Sequence, residues 1–373
     1  MCHGTTKVGQ DVGSKKEMRI IERMGVHYKI FTISELRDWL VENQDNGIST
    51  KVIDSCRAYS WLNNPSAKDE DPALAVVFDE NDIPIGYTGA FSEIVSEGNT
   101  QGRFFWGSTE WLDPEYRGKG IAATMMNLIK EAVGYENYLA SDSSEASVRL
   151  DKKQGSQIQY YQRMKYVLSA KESFKGRCAS SYVTFMNNVS LARIKQTEYT
   201  NQYVTFVDEE TYAFMRAHSQ KDLFLRQRET LNWMLHFPFL VPVGEDSHAE
   251  KASCEFGSIV SRHSIEAIKV KVDSVLRGFY IVSQTDSRRS LRYLYYEEEF
   301  KENVFASVTA NLIRKGVDEI QFFSVPLHQF MQNNHIKRLN SKSIYDQVAF
   351  TSPGGFCYDH SLGLQGGDGD MFC

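Results

Sequence analysis

Two glycines in the segment Arg117-Gly-Lys-Gly-Ile-Ala122 give the clearest chemical signal in this sequence. A strand of alternating apolar and polar residues is predicted over 104–113, and a helix is predicted over 121–132. Glycine has no side chain to cover the backbone, so the N–H groups of this loop can approach an anion, and the helix N-terminus adds positive partial charge. The segment therefore predicts a binding site for a phosphate or diphosphate group.

Two familiar phosphate-binding patterns do not fit this segment. The P-loop requires Gly-Lys followed by Ser or Thr, whereas Lys119 is followed by Gly120. The dinucleotide-binding fingerprint requires a third glycine, which the segment lacks. Taken alone, the two glycines are also compatible with an ordinary turn, so the flanking elements must decide between a turn and an anion site.

The flanking sequence predicts a defined order of elements around the loop. Short apolar runs bounded by turn residues indicate strands, and longer runs indicate helices. Besides the strand and helix already named, the elements predicted are a hairpin of strands over 73–78 and 83–91, a short strand over 137–141, a helix that ends within 160–166, and strands over 166–169 and 181–186.

The pattern Arg-x-x-Gly-x-Ala, after a strand that ends Trp111-Leu-Asp-Pro-Glu-Tyr116, resembles the pyrophosphate loop of the GNAT superfamily, the acyl-CoA-dependent N-acyltransferases. The resemblance implies an α+β fold, with a mixed, largely antiparallel sheet flanked by helices. It implies acetyl-CoA or another acyl-CoA as donor and no metal. The residues that it implies for CoA binding, chiefly through backbone N–H groups, are Trp111, Leu112, Asp113, Arg117, Gly118, Lys119, Gly120, Ile121 and Ala122.

The same resemblance implies two catalytic residues. An amine attacks a thioester only as the free base, so the site needs a proton acceptor, directly or through water. Glu110 is the candidate because family members often supply the base from the strand before the loop; a surface glutamate is the alternative. Tyr161 matches the family tyrosine that protonates the departing sulfur, with a core aromatic as the alternative and Tyr160 as its neighbour.

The second half of the sequence resembles the first. Residues 115–130 align with 299–314 at an offset of 184, with five identities in sixteen positions. In this register Gly118 corresponds to Glu302 and Gly120 to Val304, so a carboxylate and a branched side chain replace the glycines. We therefore expect tandem GNAT-like domains, in which the second half does not bind CoA. Glu110 corresponds to Leu294.

Length and composition favour a two-domain globular protein. The 373 residues exceed what one core usually serves, and we predict a flexible lead over 1–16, a catalytic domain over 17–192 and a degenerate domain over 193–373. A net charge of −6 argues against a duplex nucleic-acid binder. Six dispersed cysteines and the absence of a long apolar run favour a reduced, cytoplasmic protein without membrane contact. The spacing of Asp359, His360, Asp368 and Asp370 matches no metal loop.

The predicted function is transfer of a short acyl group from acyl-CoA to a primary amine of a small acceptor. The segment 58–71 resembles tandem GNAT proteins of bacterial surface-polysaccharide pathways, which suggests a nucleotide-linked amino sugar; amino acids and polyamines stay open. A FemX-like aminoacyl transferase and a non-catalytic acyl-CoA-binding module are the alternatives. We expect a monomer, with a dimer as the second choice. Trp61, Tyr87, Trp106 and Trp233 could stack on an acceptor or belong to the core.

Overall fold

The computed structural model describes residues 21–23, 25–42, 53, 55–97, 100–170, 173–194, 198–242, 259–339, 345–353 and 362–369. The strands in this part are β1 (Ile21–Arg23), β2 (Val26–Thr32), β3 (Pro72–Phe78), β4 (Pro84–Glu97), β5 (Thr100–Leu112), β6 (Tyr138–Ser141), β7 (Gln157–Val167), β8 (Thr200–Val204), β9 (Leu225–Arg226), β10 (Val241–Pro242), β11 (Ile259–Val260), β12 (His263–Val272), β13 (Val275–Thr285), β14 (Arg288–Tyr296), β15 (Glu319–Phe322) and β16 (Tyr345–Ser352). The helices are α1 (Ile33–Glu42), α2 (Ser55–Leu62), α3 (Ile121–Val133), α4 (Glu145–Lys153), α5 (Phe174–Ile194), α6 (Glu209–His218), α7 (Arg228–His236), α8 (Lys301–Leu312) and α9 (Val325–Asn333).

One large, mainly antiparallel sheet runs through both halves of the chain. Its order is β1-β2-β3-β4-β5-β6-β16-β7-β15-β14-β13-β12-β8, with β9 paired to β4. Strands β2 to β5 are antiparallel neighbours, and β6 adds parallel to β5. Strands β8, β12, β13 and β14 repeat this arrangement, and β15 adds parallel to β14. The expected α+β architecture is confirmed, and the same order of elements occurs twice.

The two halves exchange their central strands. Strand β7 follows α4 of the first half, yet residues Met164 to Val167 pair with β15 of the second. Strand β16 follows α9 of the second half, yet its residues Phe350 and Thr351 pair with β6 of the first. Strands β7 and β16 also pair with each other along eight residues. Each half therefore supplies a strand beside the parallel strand of the other half.

The register between β7 and β16 agrees with the offset found in the sequence. At the centre, Gln162 pairs with Gln347 and Arg163 pairs with Asp346. Residues 162 and 346, and likewise 163 and 347, are 184 positions apart, so they occupy equivalent places about a local twofold axis. The alignment made on the helix after β5 thus also describes the strand pair that joins the halves.

Helix α3 is held by an apolar stripe against the sheet of the first half. Ile121, Met125, Leu128 and Ile129 are buried at helical spacing, and they pack on side chains from β2 to β6. Gly134 follows the helix with a φ of 85° and a ψ of 123°, a conformation that glycine adopts more readily than residues with a side chain. This packing fixes the helix N-terminus at the end of β5.

Two predicted elements are wrong. Tyr160, Tyr161 and Tyr166 lie on strand β7, and the helix before it ends at Lys153. Residues 181–186 lie inside helix α5, where Val183, Asn187 and Leu191 are buried at spacings of four residues. The hairpin, the short strand and the helix after the loop are confirmed. The boundary predicted at 192/193 falls in the last turn of α5, and residues 1–16 lie outside the described part.

The four aromatic residues considered for acceptor stacking are core residues. Trp61, Tyr87, Trp106 and Trp233 are each at most 3% exposed. Trp233 donates its indole N–H to the Ser60 carbonyl at 2.7 Å, which links α7 to α2. The prediction that these rings belong to the core is therefore confirmed.

Candidate active site

Strands β5 and β6 diverge and open a cleft. They pair only at Phe105 with Tyr138 and at Trp106 with Leu139. A side chain on Gly107, the next residue of β5, would collide with the Tyr138 phenol, so glycine lets that ring occupy the start of the opening. Beyond this point lies a cavity of about 1040 Å³, which extends along the β5 edge and past the start of α3.

A bulge in β5 directs residues into the cleft. Glu110 pairs with Thr88 of β4, but Ser108 pairs with Gly89, so Thr109 is an extra residue on β5. Its φ is +52°, a conformation that costs energy for a β-branched residue and is concentrated at functional sites. A bulge also occurs on β14, where Arg292 is the extra residue, one position before the counterpart of Thr109.

The loop before α3 has the conformation that the anion site requires. Gly118 and Gly120 have φ values of +76° and +80°, and no protein atom lies within 4 Å of where a side chain on either would begin. Gly120 is the N-cap of α3, and as a glycine it has no side chain to bond the first N–H groups of the helix. Arg117 donates Nε to the Leu112 carbonyl at 3.0 Å, which ties the loop to the end of β5. Gly118, Gly120, Ile121 and Ala122 line the cleft; Lys119 lies outside its lining, with its ammonium 5.0 Å from the Tyr116 ring.

The backbone of β5 offers fewer free amides than the sequence suggested. The Asp113 N–H donates to the Ile85 carbonyl at 2.9 Å, and the Asp113 carboxylate caps the turn Pro114–Tyr116. Because N–H groups alternate in direction along a strand, Trp111 also faces β4, whereas the Leu112 and Glu110 amides face the cleft. Of Trp111, Leu112 and Asp113, which the resemblance implies for CoA binding, only Leu112 directs its amide into the cleft.

Glu110 projects into the cleft and is held there. It accepts a hydrogen bond from the Ser147 hydroxyl of α4 at 2.8 Å. The residue is reached by solvent through the cleft mouth, but protein surrounds its carboxylate, and this desolvation raises the pKa of Glu110 above its usual value. The Ser147 bond lowers this pKa, the charge of Asp151 raises it, and the charge of Lys130 lowers it.

A buried polar network supports this wall of the cleft. The Lys130 ammonium of α3 lies 2.6 Å from Asp151 of α4 and 2.8 Å from the Gln154 side chain, and Lys130 is 1% exposed. Asp151 also accepts from the Thr351 hydroxyl of the exchanged strand β16 at 3.1 Å. The helix that carries Ser147 is therefore fixed to both α3 and β16.

Tyr161 lies apart from these residues. It is on β7 opposite Val348, partly buried, with its ring edge-on to Phe350 at 6.4 Å between centroids. It is not among the residues that line the cleft, and Tyr160 is exposed beside Lys152. The structure brings together Glu110 and the glycine loop, but it does not bring Tyr161 to them.

Sequence reasoning missed several residues of the cleft. Ser147 has no signal beyond its place in a helix N-terminus, next to the helix cap Ser144. The cleft continues to β7, β14 and β15, whose lining residues include Arg163, Arg288, Ser290, Arg292 and Gln321. Their participation depends on how the two halves meet, for which no local pattern exists.

The second half lacks both parts of the donor site. Helix α8 begins at Lys301, so Glu302 and Val304, which replace the glycines, lie within its first turn rather than in a loop. Val304 is fully buried, and a side chain on Gly278 would collide with it. Leu294, the counterpart of Glu110, donates its N–H to the Gln365 side chain.

The edge of β14 that corresponds to the cleft edge of β5 is covered by residues 365–367. A side chain on Gly366 would collide with the Leu291 carbonyl, and one on Gly367 would collide with the Tyr293 ring. Arg292 donates to the Gly366 carbonyl at 2.9 Å. The chain itself therefore occupies the groove of the second half.

No group of three or more His, Cys, Asp or Glu side chains in the described ranges could hold a metal ion. Asp368 is fully buried, and Asp359, His360 and Asp370 lie outside the described residues. Within those same ranges, no helix has the length and apolar character to cross a bilayer.

No protein-family model and no curated protein sequence matches the chain. Solved structures do match it. A GCN5-related N-acetyltransferase from Kribbella flavida is 11% identical, with a TM-score of 0.50 over 88% of this chain and 72% of its own. N-myristoyltransferase from Saccharomyces cerevisiae with bound myristoyl-CoA is 9% identical, with a TM-score of 0.51 over 96% of this chain and 89% of its own. A second structure of that enzyme is 10% identical, with a TM-score of 0.50. The chain therefore has the GNAT-like fold shared by the GCN5-related N-acetyltransferases and the N-myristoyltransferases.

Proposed function

We propose that this protein transfers an acyl group from acyl-CoA to a primary amine. The observation that carries the proposal is one continuous cleft that contains a glycine anion loop at a helix N-terminus, an open strand edge and a carboxylate of raised pKa. The two S. cerevisiae structures of the same fold contain bound myristoyl-CoA, which supports a thioester donor.

The donor fits the cleft in three parts. The diphosphate would bind at Gly118 and Gly120, where the N–H groups at the start of α3 and the positive helix end favour negative charge. The pantetheine arm would follow the open edge of β5. The thioester carbonyl would then lie near the Leu112 N–H, which faces the cleft and can bond to the oxygen as it gains charge.

The reaction needs a free amine and a departing thiolate. Glu110, with its raised pKa, takes a proton from the ammonium, directly or through a water molecule, and Ser147 holds the carboxylate in place. The amine nitrogen then bonds to the thioester carbon, the C–S bond breaks, and the sulfur leaves with the electron pair. The second proton, which the nitrogen loses as the amide forms, passes to water. A thiol has an ordinary pKa near ~8.5, so the thiolate can leave without an acid. For this reason we propose transfer without Tyr161, which does not line the cleft.

We also propose that the protein is a monomer, that its second half completes the acceptor side of the cleft, and that the acceptor is a small molecule. Among acceptors, a nucleotide-linked amino sugar is the first to test. The role proposed for the second half is supported by its occupied groove and by the lining residues that β14 and β15 contribute. The amino sugar is suggested only by the resemblance of segment 58–71.

The test is thiol release from acetyl-CoA with nucleotide-linked amino sugars, amino acids and polyamines as acceptors. Glu110→Gln should lower kcat about a hundredfold or more while CoA affinity stays unchanged. Glu136→Gln, an exposed glutamate outside the cleft, is the matched control. If CoA raises the melting temperature but no acceptor is acylated and Glu110→Gln changes nothing, the protein is a binding module instead. Transfer from aminoacyl-tRNA alone would indicate the FemX-like activity.

A further inference from the structure

The second half of the chain contributes a basic wall to the cleft. Arg288, Ser290 and Arg292 of β14, Gln321 of β15 and Arg163 of β7 line the same cavity as Glu110. In the sheet these strands lie beyond β6 and β16, whereas the glycine loop follows the far end of β5. Glu110 is therefore placed between the anion loop and the arginines, so the arginine wall belongs to the acceptor side.

The charge of Arg163 is already compensated. Its two terminal nitrogens lie 2.7 Å from Asp142 and 2.6 Å from Asp346, and both carboxylates raise the pKa of the guanidinium further. Lys165 of the same strand is paired with Glu319 at 2.9 Å. These pairs make the β7 part of the wall close to neutral.

Arg288 and Arg292 form the β14 part of the wall. Arg288 is exposed at the start of β14 and forms no salt bridge with any residue in the described ranges. Arg292 donates Nε to the Ser283 hydroxyl at 2.7 Å and a terminal nitrogen to the Gly366 carbonyl at 2.9 Å. These two hydrogen bonds hold the Arg292 guanidinium, and with it a positive charge, in a fixed position. That charge acts on its surroundings, since it helps burial to lower the pKa of His263 to about 4.

Ser290, between the two arginines, and Gln321 on the adjacent strand add neutral hydrogen-bonding groups to the wall. The wall thus combines two arginines, a hydroxyl and an amide, which is the set of donors that a carboxylate or phosphate group accepts from. Arg117, which lines the cleft beside the glycine loop, is a separate cation for the phosphates of CoA.

We propose that the acceptor carries a carboxylate or phosphate group in addition to its amine, and that Arg288 and Arg292 bind this group while Glu110 faces the amine. The inference rests on the proposed acyl transfer and narrows its substrate class. Neutral amines and polyamines are then poor acceptors. Arg288 contributes charge from an exposed position, and Arg292 contributes a fixed guanidinium.

The test compares acceptors that differ only in the anionic group. β-Alanine is paired with β-alaninamide for a carboxylate, and glucosamine 6-phosphate with glucosamine for a phosphate. We expect kcat/KM to be about tenfold or more higher for the anionic member of at least one pair, since a hydrogen bond to a charged group contributes a factor of this size. The pair that shows the preference identifies which anion the wall binds.

Three variants assign the preference to the wall. Arg288→Ala should remove most of it by raising KM for the anionic acceptor, Arg288→Lys should restore part, and Arg288→Glu should reverse it. Arg177→Ala, on the exposed face of α5 outside the cleft, is the matched control and should leave the preference unchanged. Equal kcat/KM within each pair, or equal losses for anionic and neutral acceptors in Arg288→Ala, would overturn the inference and leave acyl transfer intact.

If no amine is acylated, ligand binding still tests whether the arginine wall binds an anionic group. Glucosamine 6-phosphate should then raise the melting temperature of the wild-type protein more than glucosamine does, and Arg288→Glu should abolish the difference. If the two ligands raise the melting temperature of the wild-type protein equally, the inference is wrong, whether or not the proposed acyl transfer occurs.

Discussion

Replacing Gly120 by alanine separates the anion loop from the rest of the fold. A side chain at this position meets no protein atom within 4 Å, so it would extend into the space that we assign to the diphosphate. The backbone there has a φ of +80°, which costs an L-residue about 1–2 kcal/mol. Gly120→Ala should therefore destabilise the protein by that amount and also displace the ligand.

The size of the binding effect follows from the hydrogen bonds lost. Backbone N–H groups that bond to a phosphate are charge-assisted, and each such bond contributes about 1.5–3 kcal/mol. Losing one bond weakens CoA binding by about tenfold to a hundredfold, and losing two multiplies the effect. Isothermal titration of CoA into each protein measures this directly.

Gly316 provides the matched control. It has a φ of +87°, a Cβ atom added to it would meet no protein atom within 4 Å, and it is not part of the cleft lining. Gly316→Ala should lower the melting temperature as much as Gly120→Ala does, but CoA should bind it as it binds the wild type. Equal CoA affinity in both variants would refute the assignment of the loop as the diphosphate site.

Three other measurements test the surroundings of the site. Activity should fall as pH drops through the raised pKa of Glu110, and this decrease should be absent in Glu110→Gln. Ser147→Ala should move the decrease to higher pH, because the hydroxyl that lowers the pKa of Glu110 is gone. Lys130→Met should lower the free energy of unfolding by about 3–5 kcal/mol in a denaturant titration, since it leaves a buried carboxylate unpaired; a loss below 1 kcal/mol would contradict that account. Burial raises the pKa of Asp222 to about 7 and that of Asp368 to about 8, so the folded protein holds protons that the unfolded chain releases near pH 3.8. Stability should thus decrease by ~1.4 kcal/mol per pH unit for each group as pH rises from about 4 to these values, and Asp368→Asn should flatten the upper part of the curve.

The glycine loop could be predicted because its signal is local. Gly118 and Gly120 adopt positive φ values, which glycine accepts most readily, and the strand before them and the helix after them each have a clear apolar period. The loss of this site in the second half could also be read from the sequence, because Glu302 and Val304 are good residues for a helix and poor ones for a phosphate loop.

The two wrong elements show why a short stretch of sequence is not enough to distinguish a helix from a strand. Residues 181–186 contain β-branched and aromatic side chains that favour a strand, but the buried positions Val183, Asn187 and Leu191 follow a helical period over about two turns. The likeness to a family motif predicts a helix around Tyr161, although the polar and aromatic residues of this segment pair as a strand with β16. For this strand the deciding partner is distant, since Val348 lies 187 residues after Tyr161 in the chain.

The cleft wall from β14 could not be predicted at all. Arg288 and Arg292 belong to an ordinary strand in a half that lacks the donor loop, and only the arrangement of the two halves brings them to the cavity.

The exchange of β7 and β16 has a consequence for synthesis. When a ribosome has delivered the first 192 residues, β6 still lacks the neighbour at Phe350 and Thr351, and β7 has no strand beside Met164 to Val167. An unpaired strand edge invites pairing with other chains, so a nascent first half is exposed to aggregation until the rest emerges. The central strands of the sheet can therefore pair completely only after the second half has been synthesised, so the two halves complete their folding together.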